Sequence, residues 1–132
     1  MKTTAFRLPP GSDLREALLE RAGTEHMGAA FVLSAVGSLT RACIRYADAP
    51  AGTSLDGPLE ILTLSGTLSD GGCHFHISVS DRNGQVIGGH LLSGSIVHTT
   101  AEIVLGLTDE YRFDREPDEA TGYRELVVSQ RR

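Results

Sequence analysis

Apolar and polar residues alternate most cleanly between Cys73 and Ser80. Cys73, Phe75, Ile77 and Val79 fall on one face of an extended chain, and His74, His76, Ser78 and Ser80 on the other. A period of two marks a strand with one face on a core, so this segment predicts a half-buried strand whose histidines point outward or into a cleft. Asp81-Arg82-Asn83-Gly84 supplies a turn, and Gln85 to Leu92 returns as the second strand of a hairpin. Ser95 to Leu107 reads as a long strand, with Val97, Ala101, Ile103 and Leu105 on one face and His98, Thr100 and Glu102 on the other.

Upstream, Thr3 to Leu8 forms a short first strand stopped by Pro9-Pro10-Gly11. Ser12 is placed to cap a helix of about eleven residues, with Asp13 and Glu16 at its positive end, Leu14, Ala17 and Leu18 as its apolar stripe, and Gly23 as its stop. Ala29 to Tyr46 is apolar and β-prone, and Val36-Gly37-Ser38-Leu39 divides it into two strands joined by a glycine turn. Ala47 to Pro58 reads as a surface loop, Leu59 to Leu68 as a strand, and Asp70-Gly71-Gly72 as a turn. Thr108 to Thr121 reads as a charged loop and Gly122 to Ser129 as a closing strand.

Composition narrows the class. The 132 residues suit one domain with a core that needs no disulfides, and 15 glycines beside 5% aromatics favour turns and a Val, Ile, Leu and Ala core. The net charge of −5 is spread among interspersed residues, so no basic footprint for nucleic acid is present. Cys43 and Cys73 lie thirty residues apart and form no metal or disulfide spacing, which predicts reduced thiols in a soluble, cytoplasmic protein. Neither a signal peptide nor a membrane-spanning apolar run is expected.

The candidate chemistry is histidine. His74 and His76 share a face with Cα atoms roughly 6.6 to 6.8 Å apart, and His90 follows fourteen residues later in Gly88-Gly89-His90. Whether His90 meets them depends on the turn. A two-residue Asn83-Gly84 loop sets Leu91 opposite His76 and turns His90 away. A three-residue Arg82-Asn83-Gly84 loop, with Gly84 left-handed, pairs Asp81 with Gln85 and His76 with His90. Only an odd loop, or a bulge at Gly88-Gly89, permits the three rings to meet. If they do, three imidazoles without a thiolate suit zinc first and other first-row divalent metals after it. The paired glycines leave space for an ion, a ligand or another backbone. Glu102, on the face of His98, and Glu60 are candidate proton carriers. Cys73 points to the opposite face, and His26 receives no role.

Several separated segments share an order with a known family. They are Val36-Gly37-Ser38-Leu39 with Ala42 and Arg45, the run GPLEILTLSG from Gly57 to Gly66, His74-Phe75-His76 through Asp81, Gly84 with Gly88-Gly89-His90-Leu91, Ala101-Glu102, and Phe113, Asp118, Thr121-Gly122-Tyr123 and Glu125-Leu126. Together they resemble the plant- and prokaryote-conserved domain in its stand-alone bacterial form, over nearly the whole chain. The resemblance implies an α+β fold, a mainly antiparallel sheet flanked by helices, assembled as a homotrimer. For members with these histidines it also implies a metal site at His74, His76 and His90. More remotely, the fold is similar to acetolactate decarboxylase, a zinc enzyme that uses His-x-His and a further histidine. Plant members carry AT-hooks for DNA, which have no counterpart here. Three functions follow as expectations: a homotrimeric binding or regulatory module for a small ligand or protein partner, a zinc-dependent lyase or hydrolase, and a DNA-associated regulator.

Overall fold

The computed structural model describes residues 1–131. The chain forms β1 (Lys2–Leu8), α1 (Leu14–Thr24), β2 (Ala30–Arg45), β3 (Thr53–Ser69), β4 (Gly72–Ser80), β5 (Val86–Leu91), β6 (Ile96–Leu107), β7 (Tyr111–Pro117) and β8 (Arg124–Gln130). Six strands make an antiparallel sheet in the order β1-β6-β2-β3-β4-β5, and β7 and β8 make a separate hairpin. The α+β class holds, with one helix among the described residues where flanking helices were expected.

The long strand β2 organises the sheet. Ala30 pairs with Leu68 of β3 on one edge and Leu107 of β6 on the other. At its far end Ile44 pairs with Thr53 of β3 and with Leu91 of β5. The β3-β4-β5 half of the sheet therefore curls until its last strand bonds back to β2. Phe75, Ile77, Val79, Leu91 and Ile44 line the interior of that curl, each no more than 3% exposed. Leu14, Leu18 and Ala22, spaced four apart on α1, complete the same core.

Three expectations change. The segment expected as two strands is the single strand β2, because Gly37 makes a close approach rather than a turn. A Cβ there would lie 2.1 Å from the Thr100 carbonyl oxygen of β6. Register shifts at Val32/Ser34 and around Leu39 move the buried face from Ala30 to Ala35 and Leu39, then to Ala42 and Ile44, which erases any steady period. Half of the expected loop from Ala47 to Pro58 is strand, since β3 begins at Thr53 and runs through a cis Gly57–Pro58 bond. The expected charged loop contains β7, whose residues alternate between two partly wet faces and so lack an apolar signature.

The helix cap also differs. Asp13 is the N-cap, its carboxylate accepting from the Glu16 amide at 3.1 Å and from the Gly94 amide at 2.7 Å. The Ser12 hydroxyl instead donates to the Pro9 carbonyl. The helix runs one residue past Gly23, to Thr24, with Glu25 at the C-cap. Cys43 and Cys73 are free thiols, and no helix among the described residues is long and apolar enough to cross a membrane.

Because Asp13 satisfies the helix start and ties it to the β5–β6 connection, Asp13→Ala is expected to cost about 1–2 kcal/mol. Ser12→Ala should stay within about 0.5 kcal/mol. Urea unfolding of the two variants measures the difference, and equal losses would move the cap back to Ser12.

Candidate metal centre

The turn between β4 and β5 has three residues. The Asp81 amide donates to the Gln85 carbonyl at 3.0 Å, and Gly84 takes a left-handed φ of 77°. The Asp81 carboxylate accepts from the amides of Asn83 and Gln85, holding the loop closed. Antiparallel register then runs from Ser80↔Val86 to His76↔His90. Parity does the rest. Phe75, Ile77 and Leu91 enter the core, and His74, His76 and His90 emerge together on the outer face.

The nitrogens of the three rings that face one another all lie within 4.8 Å. His74 Nε2 and His76 Nε2 are 3.2 Å apart, and the ring centroids are separated by 4.9, 5.0 and 6.0 Å. Tetrahedral zinc with bonds of about 2.0–2.1 Å holds adjacent nitrogens about 3.3 Å apart. The first pair already has that spacing, and the third ring needs a shift on the scale of a rotamer adjustment. Two unprotonated nitrogens at 3.2 Å repel unless a proton or cation lies between them, so the donor set fits a cation.

Burial and neighbouring charge favour the neutral form of His74 and His90. Partial burial pulls His90 down to about 4, reinforced by positive charge at His74, Arg45 and His76. His74 is lowered too, first by desolvation and then by His76. Neutral imidazole is the form that ligates a metal.

The glycines position the neighbours. A Cβ at Gly89 would meet the Arg45 carbonyl oxygen at 2.6 Å. The space beside His90 is thus taken by another backbone, β2, which brings Arg45 into register with His90. At Gly66 a Cβ would lie 2.0 Å from the His74 carbonyl oxygen, so glycine lets β3 close against the histidine strand.

The two carboxylates singled out from the sequence lie elsewhere. Glu60 pairs with Ser80, four residues beyond His76 on β4, or roughly 13 Å along the strand. Glu102 pairs with Arg7 and Val36, where β6 meets β1 and β2. His98 turns its Nδ1 to the Thr40 hydroxyl at 3.3 Å. Two other carboxylates share clefts with the histidines: Glu125, near the start of β8, with His74, His90, Tyr123, Arg115 and Arg45, and Asp48, after β2, with His74, His76 and His90. Arg45, Tyr123 and Glu125 stood in the family pattern without a site role. Only the packing of the β7–β8 hairpin over the sheet reveals one. That hairpin is anchored by the Arg112–Asp70 ion pair at 2.7 Å and by bonds from the Phe113 amide to the Gly28 carbonyl and from the Ser69 hydroxyl to the Phe113 carbonyl.

Residues 1–109 match the model of the Plants and Prokaryotes Conserved (PCC) domain. The chain belongs to this family. Among solved PCC-like structures, a hypothetical protein from Salmonella enterica is 39% identical with a TM-score of 0.94, covering 98% of this chain and 94% of that one. A metal-containing protein from Archaeoglobus fulgidus is 34% identical with a TM-score of 0.81, covering 96% and 94%. A plant- and prokaryote-conserved protein from Pyrococcus horikoshii is 27% identical with a TM-score of 0.76, covering 96% and 92%. The bifunctional protein GlmU of Synechococcus sp. (strain JA-2-3B'a(2-13)) is 51% identical over 128 residues, 97% of this chain. The chain spans about a fifth of the length of the GlmU proteins it matches. Within the PCC domain the family match covers all three histidines and Arg45, whereas Arg115, Tyr123 and Glu125 lie beyond residue 109.

In metal-free protein, His90 is expected to become half-protonated near pH 4 rather than near 6.5. The unfolded chain takes up that proton first, so between about 6.5 and 4 it binds more protons and stability falls as pH falls. Above 6.5 this group contributes no further pH dependence. An imidazole NMR titration checks the midpoint, and a His90 value near 6.5 would remove the effect.

Proposed function

We propose that this PCC-domain chain is an oligomeric binding module whose ligand site is built on a divalent metal, zinc first, held by His74, His76 and His90. The observation that carries the reading is the convergence of three imidazole nitrogens within 4.8 Å on one face of the β4–β5 hairpin. The description of the 34% identical archaeal relative as metal-containing supports it. Three protein ligands leave a tetrahedral ion one open position for water or a ligand. In the Synechococcus proteins the matching segment is a minor part of a longer chain, which supports a self-contained accessory role.

Self-assembly as a homotrimer is part of the proposal. Leu33, Val36 and Leu62 stand 47%, 58% and 48% exposed on β2 and β3, apolar surface of the kind that a second copy of the chain covers. The net charge of −5 makes a phosphate backbone an unfavourable partner. A zinc-dependent lyase or hydrolase is the second reading, favoured by Glu125 and Tyr123 sharing the cleft of His74 and His90. There the ion would acidify water or polarise a carbonyl, and Glu125 would hold or accept the proton.

Purified protein is expected to bind one zinc per chain, with His76→Ala and His90→Ala each weakening it about 100-fold or more. At a free zinc concentration of about 100 times Kd the wild type gains roughly 2.7 kcal/mol of stability, visible as a higher Tm that the variants lose. Elemental analysis and calorimetry measure both, and equal zinc uptake by all three proteins would end the metal reading. Native mass spectrometry at micromolar concentration should give three chains; a monomer would end the trimer.

A further inference from the structure

Two cationic side chains stand beside the histidine cluster and share one cleft with it. Arg45 leaves β2 beside His90, and Arg115 leaves β7 to share a second cleft with His74 and His76. With Arg124 they contribute to the wall of a cleft of about 540 Å³ that includes His74 and His90, within the roughly 300–1,000 Å³ of small-molecule sites. In a chain of net charge −5, three arginines and one carboxylate, Glu125, line this cleft, with Asp48 lining the adjoining one.

None of the three arginines is paired with a carboxylate within 4.0 Å among the described residues. Their contacts are neutral. Arg115 donates to the Thr67 hydroxyl at 3.1 Å, Arg124 donates to the Arg115 carbonyl at 2.7 Å, and Arg45 lies 5.7 Å from the centre of the Tyr123 ring. These contacts hold the guanidinium groups near the cleft while leaving most of their five N–H donors open. The ion pairs of this chain lie elsewhere, on α1 and at the foot of the hairpin.

The rest of the wall is apolar. Pro50, Ala51, Leu92 and the Tyr123 ring belong to the same cleft. Arginine forks match planar oxyanions in a bidentate way, and carbon surface opposite them suits a carbon skeleton rather than a bare inorganic ion. We infer that the cleft binds a small organic acid, its carboxylate held by Arg45 and Arg115 and its other end directed to the metal position at His74, His76 and His90. This assignment rests on the binding-module reading and names its ligand class. The β7–β8 hairpin, which lies beyond residue 109, then sets which acid is accepted.

Succinate is the probe, with inorganic phosphate as the comparison, titrated into isotope-labelled full chain with and without zinc while arginine side-chain N–H resonances are followed. Succinate should shift the Arg45 and Arg115 signals saturably, bind more tightly than phosphate, and bind more tightly still with zinc. Arg45→Gln and Arg115→Gln should each weaken it about tenfold or more. Arg115→Lys should weaken it less, and Arg82→Gln, in the distant turn, should leave it unchanged. Thermal unfolding of each variant separates a lost site from a lost fold; if Arg115→Gln is unfolded, Arg45→Gln and Arg115→Lys decide. Binding that ignores both arginines, or phosphate binding as tight as succinate, overturns the organic-acid assignment. Succinate binding that depends on the arginines in a protein that takes up no zinc upholds the anion site and removes the metal.

Discussion

A hydrogen bond from the Asp81 amide to the Gln85 carbonyl closes a three-residue turn and thereby sets the parity of everything beyond it on β5. Side chains alternate across a strand, so one residue more or less in that turn would exchange His90 with Leu91 between solvent and core. The protein resists that exchange from both sides. Leu91 is 1% exposed within the core, and the Asp81 carboxylate clamps two amides of the loop. Register here is a property of the fold's interior, and the histidine cluster is its outward consequence.

The curl of the sheet adds the second condition. β5 would be a free edge were it not bonded back to β2 at Ile44 and Arg45, and that closure requires a residue without a Cβ at Gly89. Glycine at this point works by permitting backbone contact, and the contact draws a guanidinium to the side of an imidazole. Partial burial first, then the positive charge of His74 and of Arg45, keeps His90 unprotonated down to about 4. Packing and electrostatics therefore act in one direction at His90: the contact that brings it to the cluster also favours its neutral form.

The hairpin β7–β8 plays a different part. It buries little apolar surface of its own, with Leu126, Val127 and Val128 all at least 36% exposed, and depends on anchors at Asp70, Gly28 and Ser69. An element held at its base and partly wet along its length can change its outward side chains at small cost to the core. It contributes Arg115, Tyr123, Arg124 and Glu125 to the cleft, so the fixed histidines and the adjustable cleft wall come from separate parts of the chain.

The sequence by itself determined the β4–β5 hairpin, the shared face of His74 and His76 and the position of the one helix, because these depend on local alternation and capping. It left the turn open between two and three residues, so the face of His90 was decided by the folded register. It also carried the family pattern. What it did not disclose was the continuity of β2, hidden by bulges that shift the buried face at Val32/Ser34 and Leu39/Arg41, and the strand character of Tyr111–Pro117, hidden by wet faces on both sides. Tertiary structure alone decided which carboxylate and which arginines stand at the histidines, since Glu60, Glu102 and Glu125 look alike in a string of letters. Only the curl of the sheet and the seat of the hairpin, both made by contacts between residues far apart in the chain, place Glu125 beside the rings and the other two away from them.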